Sequence, residues 1–221
     1  MLGSNKKSVV LLGALCMGLS ILLALWLKTQ MASDTHRPCF VHNLVTPAEA
    51  EALIQEATNK GLERSTVLSQ DRPVQQSRTS RHIFLAPETS PMAATIMHRA
   101  STLLNIPQSH FEHLQVAAYD EGQEYKAHYD ACKQCTASKQ DLARLYTLLV
   151  YLSDDFQGGH TVFPNCHVDV VPRQGMGVLW RNIDDQGNNL KSSFHAGQPV
   201  VGPGTKWICT MWIHGTPYKS S

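Results

Sequence analysis

Leu114-Gln115-Val116-Ala117-Ala118-Tyr119-Asp120-Glu121-Gly122-Gln123-Glu124-Tyr125-Lys126-Ala127-His128-Tyr129-Asp130 is the stretch that sets the reading of this chain. In its first six residues Leu114, Val116 and Ala118 alternate with Gln115, Ala117 and Tyr119, the period of a strand and not of a helix. It ends on His128-Tyr129-Asp130, an imidazole and a carboxylate at positions i and i+2. On extended backbone such positions share a side, so both groups can aim at one point. A third donor from far along the chain would complete a face of three. With 11 histidines in 221 residues, a His-x-Asp pair alone carries little weight, and the rest of the chain must decide.

Downstream of this stretch the texture stays β. Short apolar-aromatic runs at 146–153, 161–163, 168–171, 177–180 and 206–213 are separated by Asp154-Asp155, Gly158-Gly159 and Pro203-Gly204. Many short strands with turns between them predict a β-sandwich or jelly roll. Upstream the pattern is helical. Thr46-Pro47-Ala48-Glu49 combines an N-cap, a proline suited to the first turn and a capping-box glutamate; Leu53, Ile54 and Ala57 form a buried stripe and Gly61 is a stop signal. Ser90-Pro91 opens a second helix with Ile96, Met97, Ala100, Leu103 and Leu104 on one side, closed by Asn105 and Pro107. Residues 62–81, rich in Ser, Gln and Arg, read as a strand edge plus a mobile loop. The expected fold is mainly β with N-terminal helices packed on one sheet of a jelly-roll core.

Composition narrows the setting. A net charge of +1 leaves no basic footprint for nucleic acid. Lys6 and Lys7 precede an apolar run from Val9 to Leu27 with no charge before Lys28, about the ~20 residues that span a bilayer. A cleavable signal has a shorter apolar core and a small-x-small cleavage site, for which Ala24 and Ala32 are poor material. The run is read as a signal anchor, with a cleaved signal and a secreted chain as the alternative. The expected layout is a tail at 1–8, an anchor at 9–27, a stalk at 28–38, a helical support with a loop at 39–113, a β core at 114–215 and a tail at 216–221. In a eukaryote this places the core in the lumen of the endoplasmic reticulum or Golgi, as a single-pass type II membrane protein. Of six cysteines, Cys16 falls in the apolar run and five lie beyond it, so at least one of the five is free or paired with another chain. Cys132-x-x-Cys135 has no second pair to complete a zinc site and no thioredoxin-like setting, which leaves a disulfide or free thiols. Nothing in the sequence specifies an oligomeric state.

His195, in Ser-Ser-Phe-His-Ala-Gly-Gln-Pro-Val, can supply the third donor, because strands distant in sequence become neighbours in a jelly roll. Two imidazoles and one carboxylate suit non-haem Fe(II) and leave open positions on the ion. Lys206 follows on the next apolar-aromatic strand. Inside a β core it needs an anion, since an unpaired buried ammonium is costly; a solvated strand lysine is the other reading.

Taken together, these residues resemble the prolyl 4-hydroxylase branch of the Fe(II)/2-oxoglutarate dioxygenases. The matching pieces keep the family's order over roughly residues 76 to 214: Tyr119, Gly122-Gln123, Tyr125 and His128-x-Asp130; Arg144, Thr147 and Tyr151-Leu152; Gly158-Gly159-His160-Thr161-Val162-Phe163-Pro164; His195-Ala196-Gly197 and Pro199-Val200; Gly204-Thr205-Lys206-Trp207 and Trp212-Ile213-His214. The resemblance implies a double-stranded β-helix core, with His128, Asp130 and His195 holding iron. Lys206 would take the distal carboxylate of 2-oxoglutarate, with hydrogen bonds from Tyr119 and Thr161. Tyr125 and Arg144 would line a peptide groove, and Arg78 and Ser80 would contact substrate from a mobile loop. The implied reaction is hydroxylation of peptidyl proline to 4-hydroxyproline, with O2 consumed and 2-oxoglutarate decarboxylated to succinate and CO2, and with L-ascorbate in support. Its rivals are the same chemistry on lysine or a free amino acid, and a non-catalytic binder of Pro-rich peptides. The segment from His195 to Lys206 is one residue longer than the family's usual, which a Pro203-Gly204 turn could absorb. His160 stands where the family often has Glu; it and His110, His113, His167 and His214 are read as structural or surface residues, and Trp180 and Trp212 as core aromatics.

Overall fold

A computed structural model describes residues 37–65, 77–131 and 144–218. The apolar run at 9–27, the Cys132-x-x-Cys135 pair and most of the expected loop at 62–81 lie outside these residues. Among the described residues no helix is long and apolar enough to cross a membrane.

Both expected helices are present. Helix α1, Pro47–Lys60, starts on Thr46, whose hydroxyl accepts from the Glu49 amide while the Glu49 carboxylate accepts from the Thr46 amide. Helix α2, Pro91–Leu104, is capped by the Ser90 hydroxyl and ends on Asn105 in the left-handed conformation. Arg99 of α2 reaches both the Glu49 carboxylate and the Leu44 carbonyl, which pins the two helices at the N-terminus of α1.

The strands are β1 (Cys39–Val41), β2 (Glu63–Arg64), β3 (Arg81–Leu85), β4 (Leu114–Tyr119), β5 (Tyr125–His128), β6 (Arg144–Tyr151), β7 (Gln157–Gly158), β8 (Thr161–Phe163), β9 (Val168–Val170), β10 (Gly177–Arg181), β11 (His195–Gly197), β12 (Val200–Val201) and β13 (Lys206–His214). Seven of them form one sheet in the order β1-β10-β6-β13-β4-β3-β2, four form a second in the order β5-β11-β8-β9, and β12 pairs with β7. All pairings are antiparallel, and the architecture is the jelly roll expected.

The period of 2 along each strand divides the interior into two layers. Leu114, Val116, Leu148, Val150, Leu179, Cys209, Met211 and Ile213 face the helices, where they pack with Leu53, Ile96 and Met97. Ala117, Tyr119, Leu149, Tyr151, Trp180 and Ile208 face the small sheet, where they meet Phe163, Val170 and Val200. Strands β1, β3, β7, β11 and β12 were not among the expected runs; β7, β11 and β12 are two or three residues long, too short for alternation to register. Leu148 is fully buried at the centre of the helix-facing layer. Leu148→Ala is expected to destabilise the protein by roughly 2–5 kcal/mol, read by urea denaturation.

Candidate active site

The small sheet brings the sequence-distant histidines together. Strands β11 and β5 pair with His195 directly opposite His128, and the two rings lie 4.3 Å apart. Asp130 is not on the strand as expected: β5 ends at His128 and the chain bends, so the carboxylate arrives from beyond the strand end. Its Oδ1 lies 3.4 Å from His128 Nε2 and its Oδ2 3.8 Å from His195 Nε2. One donor atom from each residue lies within 4.8 Å of the other two, the one such grouping of three among the described residues.

Backbone hydrogen bonds choose the nitrogen that each imidazole presents. Nδ1 of His128 is 2.8 Å from the Lys126 carbonyl and Nδ1 of His195 is 2.8 Å from the Ser193 carbonyl. A carbonyl only accepts, so each Nδ1 carries the proton and each Nε2 keeps its lone pair for a ligand. Burial pushes the His195 imidazole down to about 4, helped by the neighbouring His128. Burial alone would raise Asp130, but the His195 and His128 imidazoles hold its carboxyl well below the ordinary range. At neutral pH the site therefore offers a neutral imidazole and a carboxylate, the donor chemistry that fits Fe(II).

The three donors lie in the wall of a cavity of about 450 Å³, counting its open mouth. Strand β13 runs along this wall, and by its alternation Lys206, Ile208, Thr210 and Trp212 all face in. Register sets Lys206 beside Tyr119, Thr210 beside Gln115 and Trp212 beside Thr147. Lys206 is 3% exposed, which removes the solvated reading. Its Nζ donates to the Gly159 carbonyl at 2.6 Å and lies over the rings of Tyr119 and Tyr151 at 5.6 and 5.7 Å. No carboxylate of the described residues pairs with it, and burial pulls the ammonium down to about 7. Gly159 makes room: a Cβ there would stand 2.9 Å from the Phe156 ring and 3.1 Å from Lys206 Cδ. The longer segment before Lys206 does not displace it. Gly204, at φ +119°, turns tightly against the Asp155 carbonyl, which a Cβ would meet at 2.5 Å, and the strand resumes with Lys206 pointing into the cavity. Thr161 also lines the cavity, and the Tyr151 hydroxyl donates to its Oγ1 at 2.7 Å, leaving the Thr161 proton for another acceptor.

Arg78 and Tyr125 line the cavity as well. The Tyr125 ring stacks on His128 at 3.6 Å, and the Arg78 guanidinium lies 5.0 Å from the Tyr125 centroid. Ser80 and Arg144 stand behind the wall. Ser80, fully buried, accepts from Arg78 Nε at 2.9 Å. Arg144 makes a two-pronged pair with Glu112 at 2.6 and 2.9 Å and covers the Trp212 ring at 3.7 Å. Trp180 and Trp212 are buried as expected but also form cavity wall, which corrects their reading as core aromatics alone. With Gln115, Thr147, Leu149, Gly197, Ile208 and Thr210 they are the cavity residues to which sequence reasoning gave no site role. Counting by twos from Lys206 along β13, or from Tyr119 along β4, would have found four of the eight. His214 pairs with Glu112 at 2.9 Å and His160 with Asp169 at 2.8 Å, both outside the three-donor grouping.

Comparisons with known proteins agree with this geometry. The sequence model of the 2OG-Fe(II) oxygenase superfamily matches residues 114–214. Prolyl 4-hydroxylase 2 of Arabidopsis thaliana is 30% identical over 211 residues, covering 85% of this chain and 70% of that protein. The human prolyl 4-hydroxylase subunit alpha-1 is 32% identical over 188 residues, 82% of this chain but 35% of the longer subunit. The crystal structure of a viral collagen prolyl hydroxylase from Paramecium Bursaria Chlorella virus-1, as a 2OG complex, superposes with a TM-score of 0.66 at 30% identity, covering 80% of this chain and 94% of that one. A Pseudomonas putida prolyl-4-hydroxylase shares the fold at 17% identity, with a TM-score of 0.60 over 87% of this chain and 98% of its own. The fold and donor set define an Fe(II)- and 2-oxoglutarate-dependent oxygenase. Within that superfamily the chain belongs to the prolyl 4-hydroxylase family.

The buried ammonium makes stability depend on pH. Below about pH 7 Lys206 is charged in both folded and unfolded chains and the burial cost is present in full; between about 7 and the ordinary 10.5 the unfolded chain binds a proton that the folded one does not, so stability rises with pH. Lys206→Met should therefore stabilise the ligand-free protein by roughly 3–5 kcal/mol near neutrality, less the lost bond to Gly159. The gain should shrink towards zero at about pH 10. Urea denaturation of both proteins across this range checks it.

Proposed function

We propose that this enzyme hydroxylates peptidyl proline at C4. The observation that carries the reading is that three metal-type donors and a buried, carboxylate-free lysine share one cavity wall. In this reading His128, Asp130 and His195 hold Fe(II), which when bound with 2-oxoglutarate and O2 supplies the oxidising chemistry of the family. Lys206 takes the distal carboxylate of 2-oxoglutarate, and Thr161 and Tyr119 complete that end of the cavity. Strand geometry puts Lys206 and Trp212 about 20 Å apart along β13, so cosubstrate and peptide occupy opposite ends of one groove. At the mouth Arg78, Tyr125 and Trp212 offer a guanidinium and two aromatic faces, surfaces suited to a proline ring and its neighbouring carbonyls. Ser80 orients Arg78, and Arg144 buttresses Trp212 while its Nη1 stands 3.5 Å from the Asp130 carbonyl. Ascorbate serves to keep the iron reduced. The similarity to prolyl 4-hydroxylase 2 of Arabidopsis thaliana and to the viral collagen prolyl hydroxylase supports this substrate class, and a Pro-rich peptide or protein is the partner.

Residues 9–27 anchor the chain in the membrane, with the enzyme core in the lumen of the endoplasmic reticulum or Golgi if the host is eukaryotic; the length of that apolar run supports this. Retention in the membrane pellet after carbonate washing is the expected outcome, and a soluble chain beginning near residue 33 would show a cleaved signal instead.

A panel of Pro-rich, Lys-containing and free amino acid substrates, read by mass spectrometry, tests the reaction: a gain of one oxygen on proline, matched by succinate, is expected. His128→Ala and Asp130→Ala should abolish turnover, and Asp130→Glu should lose most of it because the longer arm moves the oxygen off the site. Lys206→Ala should raise the KM for 2-oxoglutarate roughly 10- to 150-fold, the equivalent of about 1.5–3 kcal/mol for a charge-assisted contact, with a milder effect on the peptide KM. An unchanged 2-oxoglutarate KM would remove Lys206 from the assignment.

A further inference from the structure

Asn182 is fully buried immediately after β10, and its contacts run toward two of the three donors. Its Nδ2 donates to Thr147 Oγ1 at 2.8 Å, and Thr147 Oγ1 donates to Asp130 Oδ2 at 2.7 Å. Its backbone carbonyl lies 3.1 Å from Ser193 Oγ, whose single proton is shared with the nearer Leu190 carbonyl at 2.8 Å, and the Ser193 carbonyl is the partner of His195 Nδ1. Its own amide is tied to the Leu145 carbonyl on β6 at 2.8 Å. Asn182 thus braces Thr147, the large-sheet residue that holds Asp130, and lies beside Ser193, whose carbonyl holds His195.

The direction of the relay matters. A threonine hydroxyl has one proton. While Asn182 donates to Thr147, that proton is free to go to Asp130 Oδ2; were the amide turned over, Asn182 Oδ1 would claim it and the carboxylate would lose its anchor. The adopted orientation leaves Asn182 Oδ1 buried without a partner among the described residues. Turned over, the amide would leave Nδ2 there instead and would also take the Thr147 proton from Asp130, so the adopted orientation satisfies one more group. With Oδ2 occupied, Asp130 presents Oδ1, the oxygen 3.4 Å from His128 Nε2.

We propose that Asn182 is a positioning residue for the metal centre, fixing Asp130 through Thr147 as a one-oxygen donor. This rests on the reading of His128, Asp130 and His195 as the metal ligands. Partners of this kind that orient ligands change metal affinity about 10- to 100-fold when removed.

The test is metal binding by the full chain, with dioxygen excluded and Co(II) as the probe, its visible absorption reporting both affinity and coordination geometry. Thr147→Val keeps the shape and removes the relay; Asn182→Asp turns the donor into an acceptor. Each should weaken Co(II) binding about 10- to 100-fold and shift the absorption band, while Thr147→Ser, which retains the hydroxyl, stays close to wild type. Circular dichroism confirms folding, and if Asn182→Asp does not fold, the Thr147→Val and Thr147→Ser pair decides. Wild-type affinity and band in Thr147→Val would overturn the proposal. His128→Ala separates the two levels: loss of Co(II) there with no loss in Thr147→Val sinks only the positioning role, whereas retention of Co(II) in His128→Ala sinks the metal-site reading itself.

Discussion

Side-chain alternation along β13 ties the core of this enzyme to its cavity. One face of the strand, Cys209, Met211 and Ile213, packs under the helices, and the other, Lys206, Ile208, Thr210 and Trp212, is cavity wall. Because the period is 2, a slip of one residue would send the ammonium into the apolar layer and Met211 into the cavity. The register with β4 on one side and β6 on the other is therefore under double constraint, from the hydrophobic layer and from the cavity at once. The turn closed by Gly204 holds it, since the tight approach to Asp155 fixes where β13 begins. Helices α1 and α2 serve the site only indirectly, by burying the face that keeps β13 from slipping.

The same strand carries an electrostatic cost into the cavity. A lysine with one carbonyl partner and two aromatic faces around it is poorly solvated when the cavity holds no anion. The fold tolerates this because the helix-facing layer supplies stability elsewhere. A dicarboxylate that reaches Lys206 restores the ammonium to its charged state, so its binding and the uptake of a proton are linked near and above neutral pH.

How much of this was legible in the sequence follows from the range of each signal. Helix starts at Thr46 and Ser90 were readable because capping is local, and β4 and β13 because alternation persists over six and nine residues. His128, Asp130, His195 and Lys206 were found from motif spacing, and the structure brings all four to one cavity. Strand β3 was missed because Arg81-His82-Ile83-Phe84-Leu85 has no clean alternation. Strands β7, β11 and β12 exist only through partners distant in sequence. Asp130 was placed on a strand because i and i+2 spacing cannot tell a strand from a strand end. Asn182 and Thr147 carried no chemical signature: an amide and a hydroxyl gain a role here only through the two hydrogen bonds that join them to a carboxylate.

The division of labour between the sheets has a physical consequence. The small sheet carries both histidines on strands of three and four residues, and Asp130 hangs from the end of one of them. Such short strands have few ladder bonds of their own, and the position of each imidazole is set by one backbone carbonyl two residues before it. The large sheet, with strands of eight and nine residues at its centre, is the rigid body. Asp130 reaches it through Thr147, which Asn182 braces. The position of the carboxylate is thereby referenced to the long strands and not to the short one that bears it. A metal ion held by these three donors would cross-link β5 to β11 within the small sheet, so that ion affinity and stability of the small sheet rise together by mass action. The Thr147 bond that aims the Asp130 carboxylate is also a bond that joins the end of the small sheet to the large one.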